Sequence, residues 1–417
     1  MRHSPIWWII IVVMIVVDFY AFFAIRALIN DSTPKARTIF TIGYWSVSVF
    51  ALIVILLLPY FQFQPQNNII RSTIFALVFA MFFAKLVTTL FFLVDDVRRG
   101  VQWIAGKLFS YNNEIAEVSG AEGQGISRST FLSWMGIAMG GGIFTSFVYG
   151  LGNKYNYQIK RLQLTFPNLP KDFKGLKIVH ISDIHSGSFT NKSAVNKGVD
   201  KILNEKPDLI LFTGDIVNNK ANELNEYQEV FARLKAPMGV YSILGNHDYG
   251  DYSTWDNPHQ KQENLTRLKS MHNEMGWRLM LDEHLPLHKG DSTIGLIGVQ
   301  NIAGRGNFHS YGSLAKAMEG AQYPFKILMS HDPSHWDMEV NVKYTDIDLM
   351  LSGHTHGMQF GVELPGFRWS PVKYVYKQWA GLYEKKAQKL YVNRGFGFIG
   401  YPGRVGILPE ITVIELS

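Results

Sequence analysis

The chain contains no cysteine among its 417 residues. This absence excludes disulfide bonds and cysteine-ligated zinc sites, so any metal ion must be held by histidine, aspartate, asparagine or glutamate. The sequence also lacks internal repeats, low-complexity tracts and nucleic-acid-binding motifs. Its net charge of +6 is therefore explained more simply by proximity to an anionic membrane surface than by nucleic-acid binding.

Charged residues are scarce in the first third of the chain, where four long apolar runs occur. We predict membrane spans at about residues 6–29, 40–61, 69–94 and 131–151, because each run is long enough to cross a bilayer as a helix. These spans define a transmembrane region of residues 1–152, followed by a globular domain of residues 153–417. The first run is too long for a secretory signal peptide and has no small-residue cleavage site, so we expect it to be retained.

The distribution of lysine and arginine predicts the orientation of the spans. Basic residues concentrate in the first and third loops, and the positive-inside rule places such loops in the cytoplasm. These residues are Lys35, Arg37, Arg98, Arg99, Lys107 and Arg128. We therefore expect an integral protein of a bacterial inner or plasma membrane, with its C-terminal domain on the extracytoplasmic side. The stretch Ser127–Leu132 also resembles a twin-arginine export signal with Ser129 in place of the second arginine; the alternative is an ordinary helix with a basic flank.

Two ionisable residues lie inside the predicted spans, Asp18 in the first and Lys85 in the third. Because these two spans run in the same direction, both side chains lie at a similar depth and can pair, which offsets much of the cost of burying them. A polar site for a lipid headgroup is one interpretation. A structural ion pair that docks the two helices is the other, and we favour it.

From about residue 153 the composition becomes globular, and strand-like runs alternate with helix-like segments. We predict strands at residues 176–182, 208–213, 240–244, 293–299, 325–329 and 347–351, and helices at residues 192–204, 223–234, 259–275 and 314–320. The C-terminal stretch, residues 360–415, is mainly strand-like. This alternation predicts a layered α/β domain whose functional site lies at the ends of the strands.

Side chains that can bind metal follow several of these predicted strands. They are Asp183 and His185 after the first strand, Asp215 after the second, Asn246 after the third, His331 after a later strand, and His354 and His356 after the last. Residues two apart in an extended chain point the same way, so Asp183 and His185 can hold one metal together. Oxygen and imidazole ligands without thiolate fit two metals such as manganese, iron or zinc.

The ordered motifs D-x-H, G-D, G-N-H-D, H and G-H-x-H resemble those of the calcineurin-like metallophosphoesterase superfamily. The wider patterns at Ile181–His185, Gly353–Gln359 and Asn393–Gly397 resemble its membrane-associated branch of YkuE- and YaeI-type phosphodiesterases. The resemblance covers about residues 160–417 and departs at Met358, where this branch usually has a second glycine. It implies an α/β fold, a four-layered α/β/β/α sandwich that here follows a four-helix transmembrane region.

The resemblance also implies two divalent metal ions, with manganese favoured over iron or zinc. The first would be held by Asp183, His185, Asp215 and His356, and the second by Asp215, Asn246, His331 and His354, with Asp215 as the bridge. Two such cations lie about 3.5 Å apart, share a hydroxide and hold the phosphorus for in-line attack. His247 would stabilise the transition state and protonate the leaving oxygen, and Asp248 would orient His247.

The function expected from these features is hydrolysis of a lipid-linked or envelope phosphoester by a membrane-anchored enzyme. As an alternative enzyme, the chain resembles the UDP-2,3-diacylglucosamine pyrophosphohydrolases of lipid A synthesis. Their reaction needs a catalytic site in the cytoplasm. A binding module without catalytic activity on the same scaffold is the alternative from another functional class. The sequence nevertheless retains every expected metal ligand and His247. Arg394 either binds a substrate phosphate or braces the C-terminal strands. The stretch Lys373–Lys389 interleaves lysines with aromatic residues and is either a headgroup-binding surface or a solvated strand face.

Overall fold

A computed structural model describes residues 5–57, 68–109, 128–306 and 308–417. These residues form two compact units, Met1–Tyr149 and Gly150–Ser417. Four long helices precede the globular unit: α1 (Pro5–Leu28), α2 (Pro34–Leu57), α3 (Asn68–Phe109) and α4 (Arg128–Gly150). Each of the four is long and apolar enough to cross a membrane.

Helix α3 is longer than a bilayer requires, because it continues past Val94, where the sequence pattern ends the third span. Its polar stretch is held in helical form by ion pairs one turn apart, with Arg98 2.8 Å and Arg99 3.2 Å from the Asp95 carboxylate. Asp95 also accepts a hydrogen bond from Ser129 of α4. Ser129, which replaces the second arginine of the twin-arginine pattern, therefore connects α3 with α4. The preceding Ser127 of the proposed export signal lies outside the described residues.

The predicted pair between Asp18 and Lys85 is present in the helical unit. The Lys85 ammonium lies 2.6 Å from the Asp18 carboxylate and 2.6 Å from the Ser48 hydroxyl of α2. Tyr44 of α2 donates a hydrogen bond of 2.8 Å to the Asp18 carbonyl. The pair therefore connects three helices, which agrees with the favoured structural interpretation, since a buried charge without its partner would be strongly destabilising.

The globular unit contains two six-stranded sheets and one separate hairpin. The first sheet has the spatial order β1 (Gln158–Leu164), β14 (Glu410–Leu416), β2 (Lys177–Ile181), β3 (Leu209–Phe212), β4 (Val240–Ser242) and β5 (Arg278–Leu279). The second has the order β12 (Gly381–Lys385), β13 (Gln388–Val392), β9 (Leu349–Ser352), β8 (Lys326–Met329), β7 (Ser292–Gly298) and β6 (Glu283–Lys289). The hairpin pairs β10 (Val362–Leu364) with β11 (Phe367–Trp369).

Parallel strands form the centre of each sheet. In the first sheet β2, β3, β4 and β5 are parallel, and in the second β7, β8, β9 and β13 are parallel. Alternate residues of these strands, including Ile178 and Leu209 of the first sheet and Leu296 and Ile327 of the second, meet in one buried core between the sheets. Because the opposite faces are also covered, the strands read as nearly continuous apolar runs.

Helices cover the two outer faces. On the first sheet lie α5 (Lys192–Asn204), α6 (Gln228–Phe231) and α7 (Pro258–Glu274), and His272 of α7 bonds the Ser242 hydroxyl of β4 at 2.9 Å. On the second sheet lie α8 (Leu314–Ala317), a π-helical turn (Trp336–Val340) and α9 (Asn341–Lys343). Trp336 packs there with Ile297 and Leu328. The predicted four-layered α/β/β/α sandwich after four apolar helices is therefore confirmed.

The structure differs from the local predictions at the helix of residues 223–234 and at strands β1, β5 and β6, which the sequence pattern did not predict. The helix expected over residues 223–234 is divided into a 3₁₀ turn (Ala221–Leu224) and α6. The Glu223 carboxylate accepts hydrogen bonds from the backbone amides of residues 218, 219 and 220, and this turns the chain before α6 can begin. Strand β6 escaped prediction because it contains Pro286, which an edge strand of this kind tolerates.

Candidate functional site

The carboxyl ends of strands from both sheets meet at one edge of the sandwich, and the candidate ligands lie there. Strands β2, β3 and β4 lead into Asp183, His185, Asp215 and Asn246, whereas β8 and β9 lead into His331, His354 and His356. All but His354 are buried, with an exposed fraction of 5% or less. The structure thus brings together side chains that are up to 173 residues apart in the chain, from position 183 to position 356.

One group of possible ligand atoms belongs to Asp183, His185 and His356, whose donor atoms all lie within 4.8 Å of one another. The Nε2 atoms of His185 and His356 face each other at 3.0 Å, and the His356 Nε2 lies 3.3 Å from an Asp183 carboxylate oxygen. Burial lowers the pKa of His185 and that of His356, so both rings are neutral at neutral pH and can offer a lone pair. Two imidazole nitrogens and a carboxylate that converge in this way fit a divalent cation.

A second group consists of Asp215, His331 and His354, again with donor atoms within 4.8 Å of one another. The His331 Nε2 lies 3.1 Å from the Asp215 carboxylate and 3.1 Å from the Asn246 amide oxygen. The same amide oxygen lies 2.8 Å from the His354 Nδ1. Nδ1 of His331 is fixed 2.7 Å from the Thr213 carbonyl, which leaves Nε2 as the nitrogen that faces the group.

Asp215 lies between the two groups. Its Oδ2 atom is 3.1 Å from the His331 Nε2 of the second group and 3.6 Å from the His185 Nε2 of the first. Burial disfavours the charged form of His331, but the Asp215 carboxylate outweighs burial and raises the pKa of His331 to about 10. The Asp215 carboxylate thus favours positive charge at this position, and a carboxylate beside buried imidazoles fits a divalent cation.

The backbone at these residues differs from the extended geometry that the sequence pattern implies. Strand β2 ends before Asp183, and Asp183 and His185 have left-handed φ angles of 52° and 50°. Asp215, His354 and His356 also have positive φ angles, of 61°, 72° and 50°. The prediction that an extended backbone makes Asp183 and His185 point the same way is therefore wrong. The two side chains converge because the backbone turns at these residues. Such conformations cost about 1–3 kcal/mol each and persist where surrounding contacts enforce them.

Met358, where the sequence motif departs from the resemblance, has the same left-handed conformation. Its φ of 57° and ψ of 14° lie in the left-handed region that glycine adopts most easily. The side chain is 58% exposed, so the methionine meets little steric resistance from other residues. The loop that carries His356 therefore accommodates a methionine at this position.

His247 faces the site without belonging to either ligand group. Its Nδ1 lies 2.8 Å from the Asn218 carbonyl, and its backbone amide donates 2.8 Å to the Asp215 carboxylate. The expectation that Asp248 orients this imidazole is corrected by the structure, because the Asp248 carboxylate accepts backbone hydrogen bonds from residues 215, 216 and 245 at 2.8–2.9 Å. Asp248 thus shapes the turn, and Asn218 holds the ring.

The guanidinium of Arg394 is held by carboxylates, and Arg394 is not among the residues that line the cavity at the ligands. It is buried and pairs with Glu410, and its guanidinium also donates 2.7 Å to Glu363. The structure therefore supports the bracing interpretation and not the predicted contact with substrate.

Three residues near the site carried no recognisable sequence signal. The hydroxyl of Tyr376 lies 2.9 Å from the His354 Nε2 and fixes the orientation of that ring. Arg404 is fully buried and donates hydrogen bonds to the carbonyls of His356 and Arg394 at 3.2 and 2.7 Å. Burial lowers the pKa of Arg404 to about 9. Phe308 packs edge-on against His354, with ring centroids 4.7 Å apart.

A cavity of about 200 Å³ opens directly onto both ligand groups and His247. Beside the ligands the cavity has an apolar lining that includes Phe308, Val372 and Ile399. The site can therefore accept a small polar group at the ligands and an apolar group beside it.

Comparisons with known proteins agree with this arrangement. Residues 1–153 match the family described as "Probable Calcineurin-like phosphoesterase, transmembrane domain", and residues 176–358 match "Calcineurin-like phosphoesterase". Over 310 residues the chain is 31% identical to the uncharacterized metallophosphoesterase YkuE of Bacillus subtilis, covering 70% of this chain and 98% of YkuE. The chain belongs to the calcineurin-like phosphoesterase family.

Two further relatives are informative about the membrane-associated branch. The transmembrane protein with metallophosphoesterase domain of Danio rerio is 28% identical over 282 residues, which cover 65% of this chain and 60% of that protein. The UDP-2,3-diacylglucosamine pyrophosphatase LpxG of Chlamydia muridarum is 29% identical over 273 residues, which cover 55% of this chain and 81% of LpxG. Family membership confirms the resemblance found in the sequence. It makes the chain a membrane-anchored metallophosphoesterase that depends on divalent metal ions.

Proposed function

We propose that this metallophosphoesterase hydrolyses a lipid-linked phosphoester at a centre that holds two metal ions. The observation that carries the proposal is the position of Asp215, whose Oδ2 atom lies within 3.1 Å of one ligand group and 3.6 Å of the other. One shared carboxylate between two sets of donors is the arrangement that a dinuclear centre needs. Asp183, His185 and His356 would complete the first position, and Asn246, His331 and His354 the second.

Metal ions bound there would polarise phosphate oxygens and supply a hydroxide at neutral pH. Manganese, iron and zinc all suit the oxygen and imidazole donors, and manganese is our choice. The residues of the chain perform the remaining steps. His247 is held at Nδ1 by the Asn218 carbonyl, so its Nε2 can donate a proton to the leaving oxygen in the cavity. The carbonyl of Asn218 also stabilises the ring when it is charged.

The lipid-linked substrate is supported by three features. Phe308, Val372 and Ile399 give the cavity an apolar wall beside the ligands. Four apolar helices keep the chain in the membrane, where such substrates are found. The relative LpxG is named as a pyrophosphatase of a diacylated sugar nucleotide, and that activity is the second candidate for this chain.

Turnover in a defined bilayer tests the proposal. We expect the full chain in nanodiscs, loaded with manganese, to hydrolyse a diacylated phosphoester faster than the soluble diester bis(p-nitrophenyl) phosphate. UDP-2,3-diacylglucosamine and a diacylglycerol phosphoester should be compared at equal concentration, with chelator-treated protein as the control. Faster turnover of the soluble diester would contradict the lipid-linked substrate. Absence of turnover in protein that contains metal would favour the non-catalytic module.

The extracytoplasmic placement of the catalytic domain rests on the basic residues of the first and third loops. Because the natural chain has no cysteine, an Asp291→Cys variant would carry one exposed thiol in the globular unit. We expect a membrane-impermeant maleimide to label this variant in intact spheroplasts. Labelling only after permeabilisation would place the domain in the cytoplasm and would favour the pyrophosphatase candidate.

A further inference from the structure

The hairpin β10–β11 has an inverted amphipathic pattern. Val362 lies opposite Trp369, and Leu364 lies opposite Phe367, so these four apolar side chains share one face. Glu363 and Arg368 lie opposite each other on the other face. The apolar face is largely exposed to solvent: Val362, Leu364 and Phe367 are 42%, 61% and 57% exposed, and Trp369 is half-buried.

The charged face of the hairpin contacts the protein. Glu363 accepts a hydrogen bond of 2.7 Å from Arg394, and Lys160 lies 3.6 Å from the same carboxylate. Arg368 donates to the Ala380 carbonyl and lies 5.0 Å from the centre of the Tyr383 ring. These contacts tether the charged face to the globular unit, although Arg368 itself stays exposed. A solvated hairpin normally shows the opposite pattern, with apolar residues inward and polar residues outward.

The segment after the hairpin extends the exposed surface. It forms a 3₁₀ turn, Pro371–Tyr374, followed by Val375, and Tyr374 and Val375 are 74% and 55% exposed. Lys373 and Lys377 are also exposed. We call the exposed residues of Val362–Lys377 the hairpin surface. Glu363 is its one acidic residue in the sequence, and that carboxylate is paired on the inward face.

The hairpin surface begins at the edge of the catalytic site. His356 is six residues before Val362, and the loop between them carries the exposed Met358. On the other side, Val372 and Tyr376 line the cavity, and Tyr376 bonds His354. Val372 of the cavity lining and the exposed apolar face therefore belong to one continuous stretch of chain.

We propose that the hairpin surface inserts into the interfacial region of an anionic lipid bilayer. An exposed apolar face flanked by lysine and tyrosine has the composition of a segment that lies at the level of the headgroups. Lys373 and Lys377 would bind anionic headgroups, and Leu364 and Phe367 would enter the apolar layer. The four apolar helices already hold the chain at a membrane, so this contact needs little additional binding energy.

Charge and connectivity favour a bilayer over a second copy of the chain. Two copies joined through this surface would bring their Lys373 and Lys377 side chains together without compensating acidic residues in the same stretch. A bilayer instead supplies apolar lipid chains for Leu364 and Phe367 and anionic headgroups for Lys373 and Lys377. The proposal concerns how the catalytic domain docks and does not depend on the reaction catalysed.

Site-directed spin labelling of the full chain tests this contact, since the absence of native cysteine allows one label per molecule. Leu364→Cys carries the label at the hairpin, and Asp291→Cys is the matched control at a polar turn between β6 and β7. The protein is placed in nanodiscs of phosphatidylcholine with phosphatidylglycerol, and collisions of the label with oxygen and with a water-soluble nickel chelate are measured. We expect the label at residue 364 to gain oxygen collisions and lose nickel collisions relative to detergent, and the label at residue 291 to stay aqueous.

Three results would overturn the proposal. A label at residue 364 that stays aqueous in the nanodisc would exclude insertion. Spin–spin broadening at this position that appears in nanodiscs holding two chains, and is absent from nanodiscs holding one, would identify a second copy as the partner. Equal depth in nanodiscs of pure phosphatidylcholine, unchanged by Lys373→Gln with Lys377→Gln, would show that anionic lipid is not required.

Turnover provides a second readout that separates docking from catalysis. Leu364→Ser with Phe367→Ser should reduce hydrolysis of a diacylated phosphoester in the bilayer and leave hydrolysis of soluble bis(p-nitrophenyl) phosphate unchanged. Equal loss with both substrates would mean that the hairpin supports the structure of the site, which would contradict a role at the membrane. If wild-type protein hydrolyses neither substrate, the proposed function fails while the spin-label result still decides the docking proposal.

Discussion

Replacing Asp215 with asparagine should abolish turnover. The substitution removes the one carboxylate whose Oδ2 atom lies near both ligand groups, and the remaining donors around it are mainly imidazoles. An amide oxygen carries no full charge, so it would hold two cations in close proximity much less well. Because even outer partners of metal ligands contribute roughly 10- to 100-fold to metal affinity, we expect a loss in turnover of at least about 100-fold.

Two measurements on Asp215→Asn distinguish loss of metal from loss of chemistry. Metal content by mass spectrometry should fall below that of the wild type, and added manganese should restore turnover only in part. Asp200→Asn is the matched control, since this aspartate of α5 has a side chain about half exposed, pairs with Arg233 and belongs to neither ligand group. Full turnover by Asp215→Asn at saturating manganese would contradict the proposed shared ligand.

The positions of the ligands could be predicted because they follow the apolar strands directly. Asp183, Asp215 and His331 each come one to three residues after a buried strand, and parallel strands place their carboxyl ends at one edge. The sequence could not reveal the left-handed backbone at Asp183 and His185, because no glycine marks either position. There the tertiary structure imposes a conformation that local preference disfavours.

The partners that orient the ligands escaped prediction for a different reason. The ring of His247 is held by a main-chain carbonyl of Asn218, and any residue type could supply that group. Tyr376 reaches His354 from a loop beyond β11, and no short motif joins these two residues. Arg404 is a single arginine whose contacts are mostly carbonyl oxygens. Residue type therefore predicted the metal donors, whereas the contacts that orient them depend on the folded backbone.

The burial of Arg394 decides between its two predicted roles, substrate binding and bracing of the C-terminal strands. A guanidinium near a phosphate site is chemically plausible as a substrate ligand. In the structure it is 4% exposed and lies between Glu410 and Glu363. Glu363 belongs to the hairpin β10–β11, so the same pair that removes Arg394 from the substrate also fixes the hairpin with its apolar face outward.

Replacing His247 with glutamine should greatly reduce turnover while metal content stays near that of the wild type. The imidazole lies in the cavity wall but belongs to neither ligand group, and its Nδ1 is bonded to the Asn218 carbonyl. Loss of a general acid typically reduces the rate by about 10²- to 10⁴-fold, and we expect a loss in this range. His259→Gln is the matched control, because that ring is exposed on α7.

The identity of the leaving group gives this prediction its sharpest test. A p-nitrophenolate leaves without much help from an acid, whereas an alkoxide must be protonated as it leaves. If His247 donates the proton, the defect of His247→Gln should be larger for an alkyl phosphoester than for bis(p-nitrophenyl) phosphate. An equal defect with both substrates would assign His247 to electrostatic stabilisation of the phosphate instead. Loss of metal in this variant would make His247 a ligand and would contradict the proposed division between the donors and the acid.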